Sequence, residues 1–311
     1  MFTNPLQQRL SNSKRVLVAG AGGGFDIYCG VPLSLALAEQ GVEVHLANLS
    51  FTRLGYAVSP EPVKVTADTE GPSEYFPEKW LAQWFRSRGM QQPVYAFHRT
   101  GVRPLVEAYR QLVEELKLDA IVLVDGGTDS LMRGDEVGLG TPEEDLASLA
   151  AVDAQDVATK LLVCVGFGVD VFHGVCHAQF LEAVAALTET GGCLGSFSLN
   201  KESSHTSAYL EAVEFACRQN PIVASIVNTS IASAIEGKFG DYHRSHRTSG
   251  SKLWINPLMS LCWCFDLPAV VRRSLILPHV MDTVTYTDMS LAIETARDRI
   301  EAIKKWDEIP L

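Results

Sequence analysis

A doubly wound α/β fold, with a mainly parallel sheet and helices on both faces, is the architecture this sequence predicts. Three observations predict it. Short apolar runs rich in β-branched residues recur at Arg15–Ala19, Ala120–Val124 and Lys160–Val165, the composition of strands buried on both faces. Each run ends abruptly in glycines followed by polar residues. Helical patterns of apolar residues separate the runs, and an alternation of strand, glycine turn and helix builds a parallel sheet.

Taken in order, the first dozen residues are polar and read as peripheral. Arg15–Ala19 is the first strand, and Gly20-Ala21-Gly22-Gly23-Gly24-Phe25-Asp26 follows it. A helix continues through Val31, Leu33, Leu35, Leu37 and Ala38 to Gly41, and Val42 to Leu49 is the second strand. Such a βαβ unit receives phosphates on free backbone amides of its first turn. The dinucleotide fingerprint is broken, because Phe25 stands at its third glycine and Asn48, not an acid, ends the second strand. The turn therefore points to an anionic or nucleotide-like ligand more than to a nicotinamide cofactor. Asp26 either holds a ribose hydroxyl or a metal, or caps the helix.

The pattern loosens from Phe51 to Gly89, and residues 66–77 read as a surface excursion. Trp80, Leu81, Trp84 and Phe85 form a helical stripe over 78–86, the pattern of core or of a dimer face. A strand over 93–97 and an amphipathic helix over 102–116 lead into the central strand. Thr141-Pro142-Glu143-Glu144 opens the next helix, with an N-cap residue, proline and first-turn acids. After Lys160–Val165, His173 and His177 are spaced i, i+4 and would share a helical face. Gly174 stands where a zincin has glutamate, so one histidine lining the cleft and the other packing is the reading kept. Gly192–Leu199 is a further strand, a helix carries Tyr209, Leu210, Val213 and Phe215, and Ile222–Asn228 reads as one more strand before a short helix at 232–236. The basic loop 237–252, with His243, Arg244, His246, Arg247 and Lys252, is suited to close over an anion. Apolar Leu253–Val271 is core, and 289–305 is a terminal helix. The whole, 1–311, is read as one domain with insertions at about 50–92 and 237–252.

Net charge is −11 over 311 residues, which argues against nucleic acid or an anionic membrane as the main partner but leaves room for a small anionic ligand. No apolar stretch reaches the ~20 residues that span a bilayer. Seven scattered cysteines without a CxxC pair, and no signal-peptide pattern, fit a reduced cytoplasmic protein. A homo-oligomer is compatible with the composition.

The densest chemistry lies at Asp125-Gly126-Gly127-Thr128-Asp129 and on through Arg133, Asp135 and Glu136, just past the end of a buried strand, where open α/β sheets carry their sites. Gly22, Gly23, Gly24, Asp26, Asp125, Gly126, Gly127, Thr128 and Arg133 are the expected ligand contacts. Asp129, Asp135, Glu136 and His173 are the expected catalytic groups. Packed carboxylates repel unless a cation joins them or one keeps its proton. Either Mg2+ held by Asp129 and Glu136 polarises a phosphate, or one carboxylate works as general acid or base. Hydrolysis or group transfer on a nucleotide-like or phosphorylated small molecule follows. The alternative is a non-catalytic module that binds a small metabolite.

Two passages, VLVAGAGGGFDIYCGVPLSLAL and DGGTDSLMRGDEVGLGTPEEDLAS, together resemble the "domain of unknown function 1152" family, over about residues 13 to 300. That resemblance implies a Rossmann-type α/β protein and brings no activity, cofactor or residue role with it.

Overall fold

Among the described residues eight strands join one sheet in the order β3-β4-β2-β1-β5-β6-β8-β7. They are β1 Arg15–Gly20, β2 Glu43–Leu49, β3 Val63–Val65, β4 Val94–Phe97, β5 Ala120–Gly126, β6 Thr159–Val165, β7 Cys193–Ser198 and β8 Leu261–Asp266. The structure is a computed structural model and describes residues 4–55 and 59–309; residues 56–58 of the expected insertion lie outside it. Strands β4, β2, β1, β5 and β6 run parallel, while β3, β8 and β7 are attached through antiparallel pairings.

Period-two alternation sorts side chains to the two faces. Leu17, Ala19, Ile121 and Leu123 join a core beneath helices Val102–Leu116, Pro142–Asp153 and His177–Glu189. Val16, Val18, Ala120, Val122 and Val124 join the opposite core, beneath Val31–Glu39, Pro77–Ser87 and Ser204–Gln219. A strand buried on both faces must be apolar at every position, which is why β5 reads Ala-Ile-Val-Leu-Val without a break. The fold is the expected doubly wound α/β class, and no helix among the described residues is long and apolar enough to cross a membrane.

Several expectations are corrected. Ile222–Asn228 is not a strand: Pro221–Val223 is a 3-10 turn, and a helix runs Ile226–Ile235. Ser225 caps that helix by accepting the Asn228 N–H at 3.1 Å, and a capping serine outweighs β-branched propensity. The N-terminal stretch is not peripheral, since Leu6 and Leu10 are buried in a core. Trp80, Leu81, Trp84 and Phe85, by contrast, are all buried within the chain, in keeping with the core reading of that stripe. The terminal helix stops at Asp298.

The topology decides where a ligand could sit. From β1 the chain winds toward β2, whereas β5 lies on the other side of β1, so the connections after these two strands diverge and leave a crevice. Gly20 pairs with Val124, and the Ala21 N–H donates to the Val124 carbonyl at 2.9 Å. The glycine turn and the acid turn therefore begin level, side by side.

Candidate functional site at the β1–β5 switch point

A cavity of about 530 Å³ opens over these turns. Gly22, Gly23, Gly24 and Asp26 come to it from the β1 turn, and Asp125, Gly126 and Asp129 from the β5 turn. Asp170 and His173 come from the turn after β6, and Arg247 from the basic loop. Phe25, Phe51 and Tyr75 supply aromatic wall, and Ile222, Ile226 and Val227 an aliphatic one. Phe25 and Tyr75 meet edge-on, their ring centroids 5.6 Å apart.

The β1 turn departs from a simple phosphate cradle. Gly22 N–H donates to Asp26 Oδ2 at 2.7 Å and Gly24 N–H to the Leu49 carbonyl at 3.0 Å, so two of the three glycine amides are committed inside the protein. Gly23 and Gly24 have φ of +82° and +58°, which glycine adopts at little cost. Asn48 is fully buried and donates from Nδ2 to the Gly24 carbonyl and to Glu78 Oε1, both at 2.8 Å. It braces the turn from the place where a dinucleotide site would present an acid to the ribose.

Four aspartates line the cavity, Asp26, Asp125, Asp129 and Asp170, and a fifth, Asp145, stands behind them beside a small inner void. Asp125 Oδ2 accepts from Ser130 N–H at 3.2 Å and Ser130 Oγ at 2.5 Å. Asp129 Oδ2 accepts from Thr141 N–H and Oγ1 at 2.8 and 3.0 Å. Thr141 thus serves Asp129 instead of capping its own helix. Asp170 Oδ2 accepts from Thr128 N–H and Oγ1 at 2.5 and 3.1 Å. Asp145, 2% exposed, has no hydrogen-bond partner on either oxygen. Among the described residues the only basic group within ion-pairing distance of the five is His173, its Nδ1 3.9 Å from Asp170.

Burial without a counter-charge governs how these groups titrate. Desolvation, then repulsion among the aspartates, pushes Asp26, Asp125 and Asp145 well above the carboxylate range. Asp129 rises to about 7, through burial and the Asp170 charge, against the pull of its Thr141 hydrogen bonds. The Asp170 carboxylate raises His173 above its usual value despite partial burial. Burial lowers His177.

The expected site divides. Asp125, Asp129, Gly126, Asp26, the three glycines and His173 line the cavity. Thr128 lies behind it, holding Asp170. Gly127 is packed so tightly that a Cβ there would come within 3.0 Å of the Asp125 and Asp170 carboxylates. Arg133, Asp135 and Glu136 do not line it. Arg133 grips Asp135 with Nε and Nη2 at 2.9 and 3.0 Å. Glu136, with no exposed surface, accepts the Arg133 and Gly134 N–H groups at 3.1 and 2.8 Å and faces Arg273 at 3.7 Å. Asp129 and Glu136 therefore do not form the expected metal pair. His173 and His177 share no helix, because Gly174, at φ +85°, separates the 3-10 turn Val169–His173 from the helix starting at His177. His177 packs on Phe167. Of the basic loop, only Arg247 reaches the cavity; Arg244 pairs with Glu214 and Glu236, and His243 with Asp241.

Asp145 and Asp170 were not singled out in the sequence. A signal for Asp170 exists: glycine-then-aspartate recurs at three strand ends, in GGGFD, DGGTD and GFGVD. Asp145 had none, since an acid in the first turn of a helix is ordinarily a dipole partner. Asp26, Asp125 and Asp145 each offer an oxygen, the three lying within 4.8 Å of one another, which is the arrangement best placed to hold a metal.

The family model described as "Protein of unknown function (DUF1152)" matches residues 17–303. The chain belongs to this family. The matched stretch contains both turns and all five aspartates, so the cavity floor lies wholly within the family's span. No curated protein gives a significant match to the chain.

Proposed function

We propose that this protein is an enzyme acting on a nucleotide-like or phosphorylated small molecule, by hydrolysis or group transfer, in the cavity between the β1 and β5 turns. The observation that carries the reading is the meeting of two strand-end turns at one cavity, with an acid floor, one arginine on its wall and aromatic rings beside it. Arg247 reaches the cavity wall while its Nη1 donates to the Ala224 carbonyl at 2.9 Å, so it is positioned to meet an anionic group. Phe25 and Tyr75 offer ring surface to a base or sugar. Asp129, one oxygen fixed by Thr141 and the other uncommitted, is the general acid or base of this reading. His173 is the second proton carrier. Seven free, scattered cysteines fit a cytoplasmic setting for such chemistry.

A binding module that does not turn its ligand over is the second reading. It is favoured by the commitment of Asp125, Asp129 and Asp170 to Ser130, Thr141 and Thr128, which could be scaffolding alone. Product release from a panel of nucleoside phosphates and sugar phosphates separates the two. Turnover that Asp129→Asn abolishes supports the enzyme; saturable binding of a panel member without product, unaffected by that variant, supports the module.

A further inference from the structure

Behind the floor of the cavity lies a feature that neither a proton carrier nor a scaffold needs. Asp145 sits in the first turn of helix Pro142–Asp153 with both carboxylate oxygens buried and unpartnered. Each of the four aspartates that line the cavity is tied to at least one protein donor. A buried carboxylate without donors loses its hydration and regains nothing, a cost that folds avoid unless another group compensates. Its surroundings increase that cost, because its neighbours Asp26, Asp125 and Asp129 are acids. Among the described residues no basic side chain pairs with it, and the preceding residue, Glu144, has Arg99 at 3.2 Å.

The backbone is shaped to let these acids approach. A Cβ on Gly22 would stand 2.9 Å from Asp26 Oδ2 and 3.0 Å from Asp145 Oδ1, and one on Gly126 would stand 2.9 Å from Asp26 Oδ1. Glycine at 22 and 126 is what permits the carboxylates to close together. Asp26 is oriented by the Gly22 N–H and Asp125 by Ser130, the outer support that metal-ligating carboxylates characteristically have. The Cys29 thiol beside Gly126 is committed to Asn228 Oδ1 at 3.3 Å, which leaves an all-oxygen donor set.

We infer that Asp26, Asp125 and Asp145 form a site for one small hard divalent cation of the Mg2+ or Mn2+ kind. Their oxygens lie within 4.8 Å of one another. Octahedral ligands at about 2.1 Å stand about 3 Å apart when adjacent and about 4 Å when opposite, so small closure brings all three onto one ion. Asp26 and Asp125 face the large cavity, whereas Asp145 borders a void of about 10 Å³ on the inner side. An ion among them is gripped from behind and keeps its remaining positions toward the cavity, where phosphate oxygens would complete its shell. This ligand set replaces the Asp129–Glu136 pair expected from sequence. It does not rest on turnover, and a purely binding protein would hold the ion equally well.

The test is a titration of metal-stripped full-length protein with Mn2+, read by loss of the free-ion electron paramagnetic resonance signal. One Mn2+ per chain, displaced by Mg2+, is expected. Asp145→Asn should weaken binding on the order of tenfold or more, while Glu143→Gln, two residues away, should leave it unchanged. Melting in chelator should show Asp145→Asn at least as stable as the wild type, with Mn2+ raising only the latter. Should the variant fail to fold, amide spectra of the wild type decide: Mn2+ should broaden Gly22 and Gly126 first. Absence of stoichiometric Mn2+ binding, binding indifferent to Asp145→Asn, or broadening centred elsewhere overturns the site. A single buried water or a shared proton on Asp145 would give the first of these results. Mn2+ binding without turnover of any substrate leaves the ion site standing and removes only the enzymatic reading.

Discussion

Asp125 and Asp129 on one side, and Asp135 and Glu136 on the other, come from a single short stretch of chain, yet the structure gives them opposite surroundings. Asp135 is held by Arg133 and Lys304, the latter 3.6 Å away, and the carbonyl of Glu136 accepts from Arg297 at 2.7 Å. Arg273 completes the second pair. Every charge there is answered, and apart from Arg133 the answers come from the last forty residues, so this cluster fastens the loop to the C-terminal region. Asp125 and Asp129 meet no Lys or Arg, only hydroxyl and amide donors, and face three more aspartates. Burial alone does not mark function, since both groups are buried. What separates them is whether the protein supplies the compensating charge.

Substitutions should expose that difference. The largest effect expected is on turnover: Asp129→Asn should lower kcat by about 100-fold or more, the usual contribution of a positioned acid or base, with unfolding free energy little changed. Equal losses of activity and stability would make Asp129 a scaffold. Next, Glu136→Ala should cost about 3 to 5 kcal/mol in denaturant unfolding, the range for breaking a buried ion pair, because Arg273 and two amides lose their partner. A cost near zero would erase the contrast between the clusters.

A third expectation concerns Glu78, fully buried beneath the glycine turn, with one oxygen bonded to Asn48 and the other unpartnered. Burial raises its pKa to about 7. The folded state therefore keeps a proton that the unfolded chain releases above about 4.5. The stability Glu78 contributes is full below that value, falls as pH rises, and is lost above about 7. The penalty at pH 8 is on the order of 3 kcal/mol at most. Glu78→Gln should be more stable than the wild type at pH 8 and indistinguishable near pH 4. The smallest effect is that of Arg247→Ala, which should weaken the anionic ligand by about tenfold in calorimetry without altering the fold. Unchanged affinity would remove Arg247 from the site.

The sequence made the two turns legible because their chemistry is local: an apolar run, then glycines, then acids. That the two turns flank a switch-point crevice came from the strand order, which alternation of strand and helix does not give. The split among the acids was not legible, because Arg273, Arg297 and Lys304 approach from a remote part of the chain. Asp145 was hidden by its place in a helix start, where acids are commonplace. Ile222–Asn228 misled through its β-branched residues, since the side-chain cap at Ser225 that makes it helical depends on the turn before it.

The most direct test of the account is a crystal of the full-length protein soaked with Mn2+ and inorganic phosphate. The account predicts an anomalous peak among Asp26, Asp125 and Asp145, with phosphate on its open side toward Gly23 and Arg247. Asp145 surrounded only by water or sharing a proton, with Mn2+ and phosphate bound elsewhere or not at all, would contradict it.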